Sequence, residues 1–184
     1  LTALPNIMSV RRTEQGELPA FDTALLEREL SLFKDWLLKH HLNLDWHTGD
    51  DEVWSQFSQQ MIDNALQQPQ VGVHRDFHSR NLMLLDDDRI GIIDFQDAVL
   101  GPVTYDAVSL LRDCYIEWPE ELVNELSEGL RQHLVESDCL AAQVEPQQWQ
   151  HWFDWMGLQR HTKAAGIFAR LAHRDHKPGY LQDV

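Results

Sequence analysis

Positive charge is scarce in this chain. Fifteen lysines and arginines face 30 acidic residues, for a formal net charge of -15, and only Lys34, Lys39, Lys163 and Lys177 are lysines. Such a surface repels a phosphate backbone, so no nucleic-acid partner is expected. Cysteine is nearly as rare: Cys114 and Cys139 have neither metal nor redox spacing, which excludes a disulfide framework and leaves two free thiols. No apolar run approaches the ~20 residues of a membrane span, and no membrane partner is expected. The opening "LTALPNIMSV" lacks the basic and apolar regions of a secretory signal. A reducing, cytoplasmic setting is the expectation. Repeats and low-complexity tracts are also lacking.

What is present is enough apolar sequence for one substantial core: 184 residues, 43% of them hydrophobic. The acidity reads either as a solvated surface or as a cleft that attracts cations. Residues 1–20 have no clear helical or strand period. Asp22 is placed to cap a helix over 23–41, where Leu26, Leu30, Phe33 and Leu37 recur at helical spacing and Trp36 widens the stripe. Asp50 or Asp51 is placed to cap a second helix ending near Gln68 and carrying Val53, Trp54, Phe57, Met61 and Ile62 on one side.

From Val71 the pattern changes. "VGV", the polar loop "HRDFHSRN", "LMLL", a turn over Asp86, Asp87 and Asp88, and "IGIID" predict short strands, with the last two forming a hairpin. This is the only convincing β region. Helical period returns in "TYDAVSLLRDCYIEW", in a helix after Pro119 bearing Leu122, Leu126, Leu130 and Leu134, and in a long helix from about Pro146 to His173 with Gly157 or Gly166 as a possible bend. Trp149, Trp152 and Trp155 share a face of it and read as core anchors. The tail "KPGYLQDV" is expected to be irregular, and the histidines are too scattered to predict a zinc site.

The chemistry sits in the β region. Asp76 lies at the mouth of a loop, Asn81 opens the next strand, and the hairpin brings Asp94 back to the same end. Two carboxylates and an amide suit a hard cation that prefers oxygen, such as Mg²⁺, which usually takes one or two protein carboxylates plus substrate phosphates. Asp76 then remains to orient or deprotonate a hydroxyl, the contribution phosphoryl transfer needs beside charge neutralisation.

"HRDFHSRN" with "IIDFQD" resembles the catalytic and metal loops shared by protein kinases and aminoglycoside-phosphotransferase-like kinases. "GPVTYDAVSLLRD" is similar to the latter group, the aminoglycoside phosphotransferase and choline kinase family. "LLEREL" and "GIFARL" with the following "RD" and "KPGYL" resemble its bacterial cell-wall-recycling members, which phosphorylate the anomeric hydroxyl of N-acetylmuramate and N-acetylglucosamine. The resemblance implies a mainly α (α+β) fold, a protein-kinase-like C-terminal lobe whose small β-hairpin carries the catalytic loop 74–81 and the metal loop 94–97. Residues 1–20 would be a segment following the interlobe hinge and 21–184 the lobe itself.

The same resemblance implies Asp76 as catalytic base, Asn81 and Asp94 as Mg²⁺ ligands, and ATP as phosphate donor. His74 and Arg75 would scaffold the loop, and Asp106 would anchor it by accepting backbone N–H bonds. His78 is placed to touch the transferred phosphate with a pH-dependent charge. Gln96, which stands where protein kinases have glycine, would lie near the substrate. Asp97 either accepts from sugar hydroxyls or serves as a turn residue. Arg112, with Asp113 and Arg170, falls near the expected acceptor pocket, the alternative being a solvated or paired charge.

A glycine-rich phosphate loop and a strand lysine are also implied. The nine glycines never form G-x-G-x-x-G. The chain is therefore expected to be the C-terminal lobe, partnered by an N-terminal lobe that is missing here, and to have little kinase activity alone. The acceptor expected is a sugar or amino sugar; the rivals are an aminoglycoside or other cationic alcohol, and a non-catalytic kinase-like binding module.

Overall fold

Asp22 begins the first long helix as predicted: its carboxylate accepts the Leu25 N–H at 2.9 Å. In the computed structural model, which describes residues 1–14, 16–86 and 89–184, this helix, α2 (Thr23–Leu32), runs on into a π-helical segment at Phe33–His41. It turns back into α3 (Thr48–Gln67). The α3 start is built differently from the expectation. His47 is the N-cap, and Asp50 closes the turn by accepting the His47 N–H at 2.8 Å. Val53, expected on the apolar side, is exposed.

The first twenty residues form more structure than their period implied: a short helix, α1 (Leu4–Ser9), and the two-residue strands β1 (Arg12–Thr13) and β2 (Gly16–Glu17). These elements are too short for periodicity to emerge, yet Leu4 and Met8, one helical turn apart, are buried in the main core.

Strand β3 (Gln70–Val73) pairs antiparallel with β6 (Val99–Pro102), while β4 (Leu82–Leu84) pairs with β5 (Ile90–Ile92). Strand β6, which lies outside the predicted strands, ends at Pro102, so the missing N–H falls at the end of its ladder. The turn joining β4 and β5 begins at Asp86, while Asp87 and Asp88 lie outside the described residues.

Helix α4 is shorter than predicted, Tyr105–Leu111. The chain leaves it at Arg112, and Asp113 turns its carboxylate to the Tyr115 N–H at 3.0 Å, a local bond that competes with helix. Helices α5 (Glu120–Glu136) and α6 (Pro146–His173) follow, and Pro178–Asp183 forms 3₁₀ turns where an irregular tail was expected.

Helix α6 is the spine, touching α2 and its π extension, α3, α4 and α5. Trp149, Trp152, Phe153 and Met156 are buried in the core with Leu26, Leu30, Met61 and Ile62. The Trp149 indole donates to the Ser127 hydroxyl of α5 at 2.9 Å. Helix α6 runs unbroken from Pro146 to His173, and Gly166 lets its backbone lie against the backbone of Leu32 and Phe33, where any Cβ would collide. His41 and His173, far apart in sequence, meet with ring nitrogens 2.9 Å apart. No group of three or more His, Cys, Asp or Glu among the described residues is arranged to hold a metal.

Candidate active site

Loop 74–81 leaves β3 from a buried base, Val71 and Val73. Its first two N–H groups, of His74 and Arg75, donate to the two oxygens of the Asp106 carboxylate at 2.7 and 3.0 Å. Asp106 sits in the first turn of α4 and is 1% exposed. Burial pushes its pKa up to about 6, against the pull of those two bonds.

Arg75 adopts a positive φ of 79°, a left-handed conformation that side chains rarely take. Three clamps hold it there: Asp106 on its N–H, Arg160 donating to its carbonyl at 3.2 Å, and Glu29 accepting from its guanidinium at 2.6 Å. Glu29, 4% exposed, also accepts from Lys163 at 3.0 Å and from Gln159 at 3.2 Å. Burial would raise the Glu29 carboxyl, but the Lys163 ammonium and Arg75 guanidinium outweigh it and hold its pKa below the ordinary value. Lys163 donates in turn to the Tyr105 hydroxyl at 3.0 Å, and the Arg160 guanidinium lies 4.9 Å from that ring.

Beyond this anchor the loop closes on itself. The His78 N–H donates to the Asp76 carbonyl at 3.1 Å, the Asn81 N–H to the His78 carbonyl at 3.0 Å, and the Ser79 N–H to Asp113 at 2.8 Å. The β4–β5 register pairs Leu82 with Ile92, so Asn81 and Asp94 emerge from the same end of the hairpin. The Asn81 amide donates to the Asp76 carbonyl at 3.0 Å and to the Asp94 carboxylate at 3.4 Å. Gln96 donates to the other Asp94 oxygen at 2.6 Å, and Asp94 itself has a positive φ of 71°. Asp76, Asn81, Asp94 and Gln96 are thus brought together.

Asp76 is half-buried and lines a small cavity of about 140 Å³ with His78, Asp113, Arg160 and Lys163. His74 is buried and His78 half-buried. Burial lowers the pKa of both, opposed at His74 by Asp76 and at His78 by Asp113 and Asp76. Gln96, Asp97 and Arg75 line a larger groove of about 860 Å³, walled by α2 and the β1–β2 hairpin. Arg112 is turned elsewhere, paired with Glu120 at 2.7 Å and Asp154 at 3.7 Å.

Glu29, Arg160 and Lys163 went unnoticed in the sequence. The available signal was chemical inconsistency: Glu29 falls on the buried face of α2 with Leu25, Leu26 and Leu30, where a lone acid demands a cation.

The model of the phosphotransferase enzyme family matches residues 9–142. An N-acetylmuramate/N-acetylglucosamine kinase of Pseudomonas aeruginosa is 43% identical over 92% of this chain and 49% of its own length. One of Neisseria meningitidis is 39% identical over 100% of this chain and 55% of its own. The chain therefore spans about half the length of these relatives. Among solved structures, an ethanolamine kinase of Plasmodium vivax superposes with a TM-score of 0.65 at 13% identity, over 98% of this chain and 54% of that one, a likeness of fold.

Proposed function

The chain belongs to the phosphotransferase enzyme family, and from that premise we propose that it is the C-terminal, catalytic and acceptor-binding lobe of an ATP-dependent amino-sugar kinase. The acceptor class, N-acetylmuramate or N-acetylglucosamine, is supported by the names of its relatives; the anomeric hydroxyl as the site of transfer is part of the proposal. The observation that carries this reading is the Asn81 amide, which bonds both the loop of Asp76 and the carboxylate of Asp94.

Asp76 orients the acceptor hydroxyl and takes its proton, while the clamped loop holds the carboxylate at a fixed angle. Asn81 and Asp94 would hold Mg²⁺. Their oxygens are hard donors, and a pair of protein ligands suits an ion that completes its shell with water and phosphate. Bound there, the ion neutralises charge on the ATP phosphates. His78, which lines the Asp76 cavity, and Gln96, bonded to Asp94, would contact phosphate or acceptor, and Asp97, which lines the larger groove, would contact the acceptor.

Two facts support the single-lobe reading. The sequence has no glycine-rich phosphate loop. The hairpin beside Asn81 also exposes apolar side chains, among them Met83, Leu84 and Ile90, with Leu84 72% exposed, a surface suited to being covered by adenine and an N-terminal lobe.

A cationic acceptor is the second reading, favoured by the carboxylates of Glu14, Glu17, Asp22 and Asp97 around the groove. Assay of the full protein that carries this chain separates the two. N-acetyl sugars are expected to turn over faster than ethanolamine or an aminoglycoside, and D76N is expected to lower kcat by about 10²–10⁴-fold. Faster turnover of a cationic alcohol, or an active D76N protein, overturns the reading.

A further inference from the structure

We propose that Arg28 reads the carboxylate of the acceptor and so separates N-acetylmuramate, which carries a lactyl carboxylate, from N-acetylglucosamine, which carries none. The inference rests on the acceptor class proposed above.

The small cavity at Asp76 is about 140 Å³, below the ~300 Å³ at which small-molecule sites begin. The body of an amino sugar fits the groove of about 860 Å³, which is lined by Arg75, the residue before Asp76, and by Gln96 and Asp97. Helix α2 presents Asp22, Leu25 and Arg28 to this groove at intervals of three, one face of one helix. The neighbouring Glu29 fastens the same helix to Arg75 at 2.6 Å, so Arg28 is offered from a rigid support.

Charge then decides the role. Glu14, Glu17, Asp22 and Asp97 make the groove acidic, and a carboxylate entering it is repelled unless a cation receives it. The basic side chains lining it are Arg28 and Arg75. Arg75 is committed to Glu29. Arg28 is exposed and forms no ion pair among the described residues. A guanidinium offers a planar fork that a carboxylate fits with two parallel hydrogen bonds. A neutral sugar has no use for it and is held by hydroxyl contacts to the acids.

Steady-state kinetics of R28Q in the full protein, with both sugars, test this. The kcat/KM ratio of N-acetylmuramate over N-acetylglucosamine is expected to fall about tenfold or more, chiefly through KM for N-acetylmuramate, the scale of a lost charge-assisted hydrogen bond. R28K is expected to recover part of the ratio, since it keeps the charge without the fork. A ratio within twofold of the unsubstituted protein's overturns the inference and leaves the amino-sugar reading standing. If the unsubstituted protein phosphorylates neither sugar, the amino-sugar reading falls first, and this inference with it.

Discussion

Residues 74–81 and residues 82–97 meet around one site yet are held by opposite means. The first of these is fixed by buried or part-buried polar partners: Asp106 on two N–H groups, Arg160 on a carbonyl, Glu29 on a side chain. The hairpin after it is held by its own ladder, by bonds between Asn81 and the Ile93–Asp94 end and by Leu82 and Ile92 packed against the core, and it leaves Leu84, Ile90, Ile93 and Phe95 largely exposed. Rigidity is thus built in where, on the proposed function, a proton is taken at a fixed angle. The side that would meet nucleotide is left open, its apolar surface of use only to something that covers it.

The largest break in this contrast is expected from E29Q. It strips the acid from between Arg75 and Lys163 and leaves two cations without compensation in a mostly buried setting. Urea denaturation should show a loss of about 3–5 kcal/mol, with activity of the full protein falling in parallel. The pH dependence has a definite sign. Because the folded-state pKa of Glu29 is lowered, its contribution is fully present above its ordinary value of 4.5 and is lost as pH falls through the lower folded-state value. The E29Q protein should lack that acid-side decline.

Next in size is D106N. An amide keeps one acceptor for the loop but turns a donor toward the second N–H, a loss of about 1–3 kcal/mol by the same measurement. Here the pH sign reverses. The folded-state pKa of Asp106 is raised from 3.8 to about 6, so its ionisation erodes stability as pH climbs through that window. D106N should remove this erosion.

The smallest effect on stability is expected from L84S on the open hairpin, within about 0.5 kcal/mol, since an exposed side chain gains little from burial. In the full protein the same change should raise KM for ATP while leaving KM for the sugar unaltered. Loss of stability comparable with E29Q would erase the contrast between the two regions.

Much of this site was legible from spacing. Asp76, Asn81 and Asp94 stand at intervals fixed by a loop and a two-armed hairpin, both local features, and the β4–β5 register brings Asn81 and Asp94 to one end as the predicted hairpin implied. Helix α6 was legible to its ends, Pro146 and His173, because Pro opens a helix well and the apolar period is long. The clamp was not legible. Glu29 and Lys163 are 134 positions apart in sequence, and no local period announces a pairing set by how two helices cross. The pair of β3 with β6 escaped for a related reason, since the partner of a strand ending in Gly-Pro is chosen by the fold around it.

Gly166 gives those crossing helices their gauge. Lys163 lies about one turn before Gly166 on α6, and Glu29 about one turn before Phe33 on the α2 side, so the charge pair sits beside the point where the two backbones touch. The 3.0 Å separation of carboxylate and ammonium is accordingly dictated by bare main chain, and one hydrogen atom in place of a methyl sets how firmly the distant Arg75, and with it the catalytic loop, is gripped.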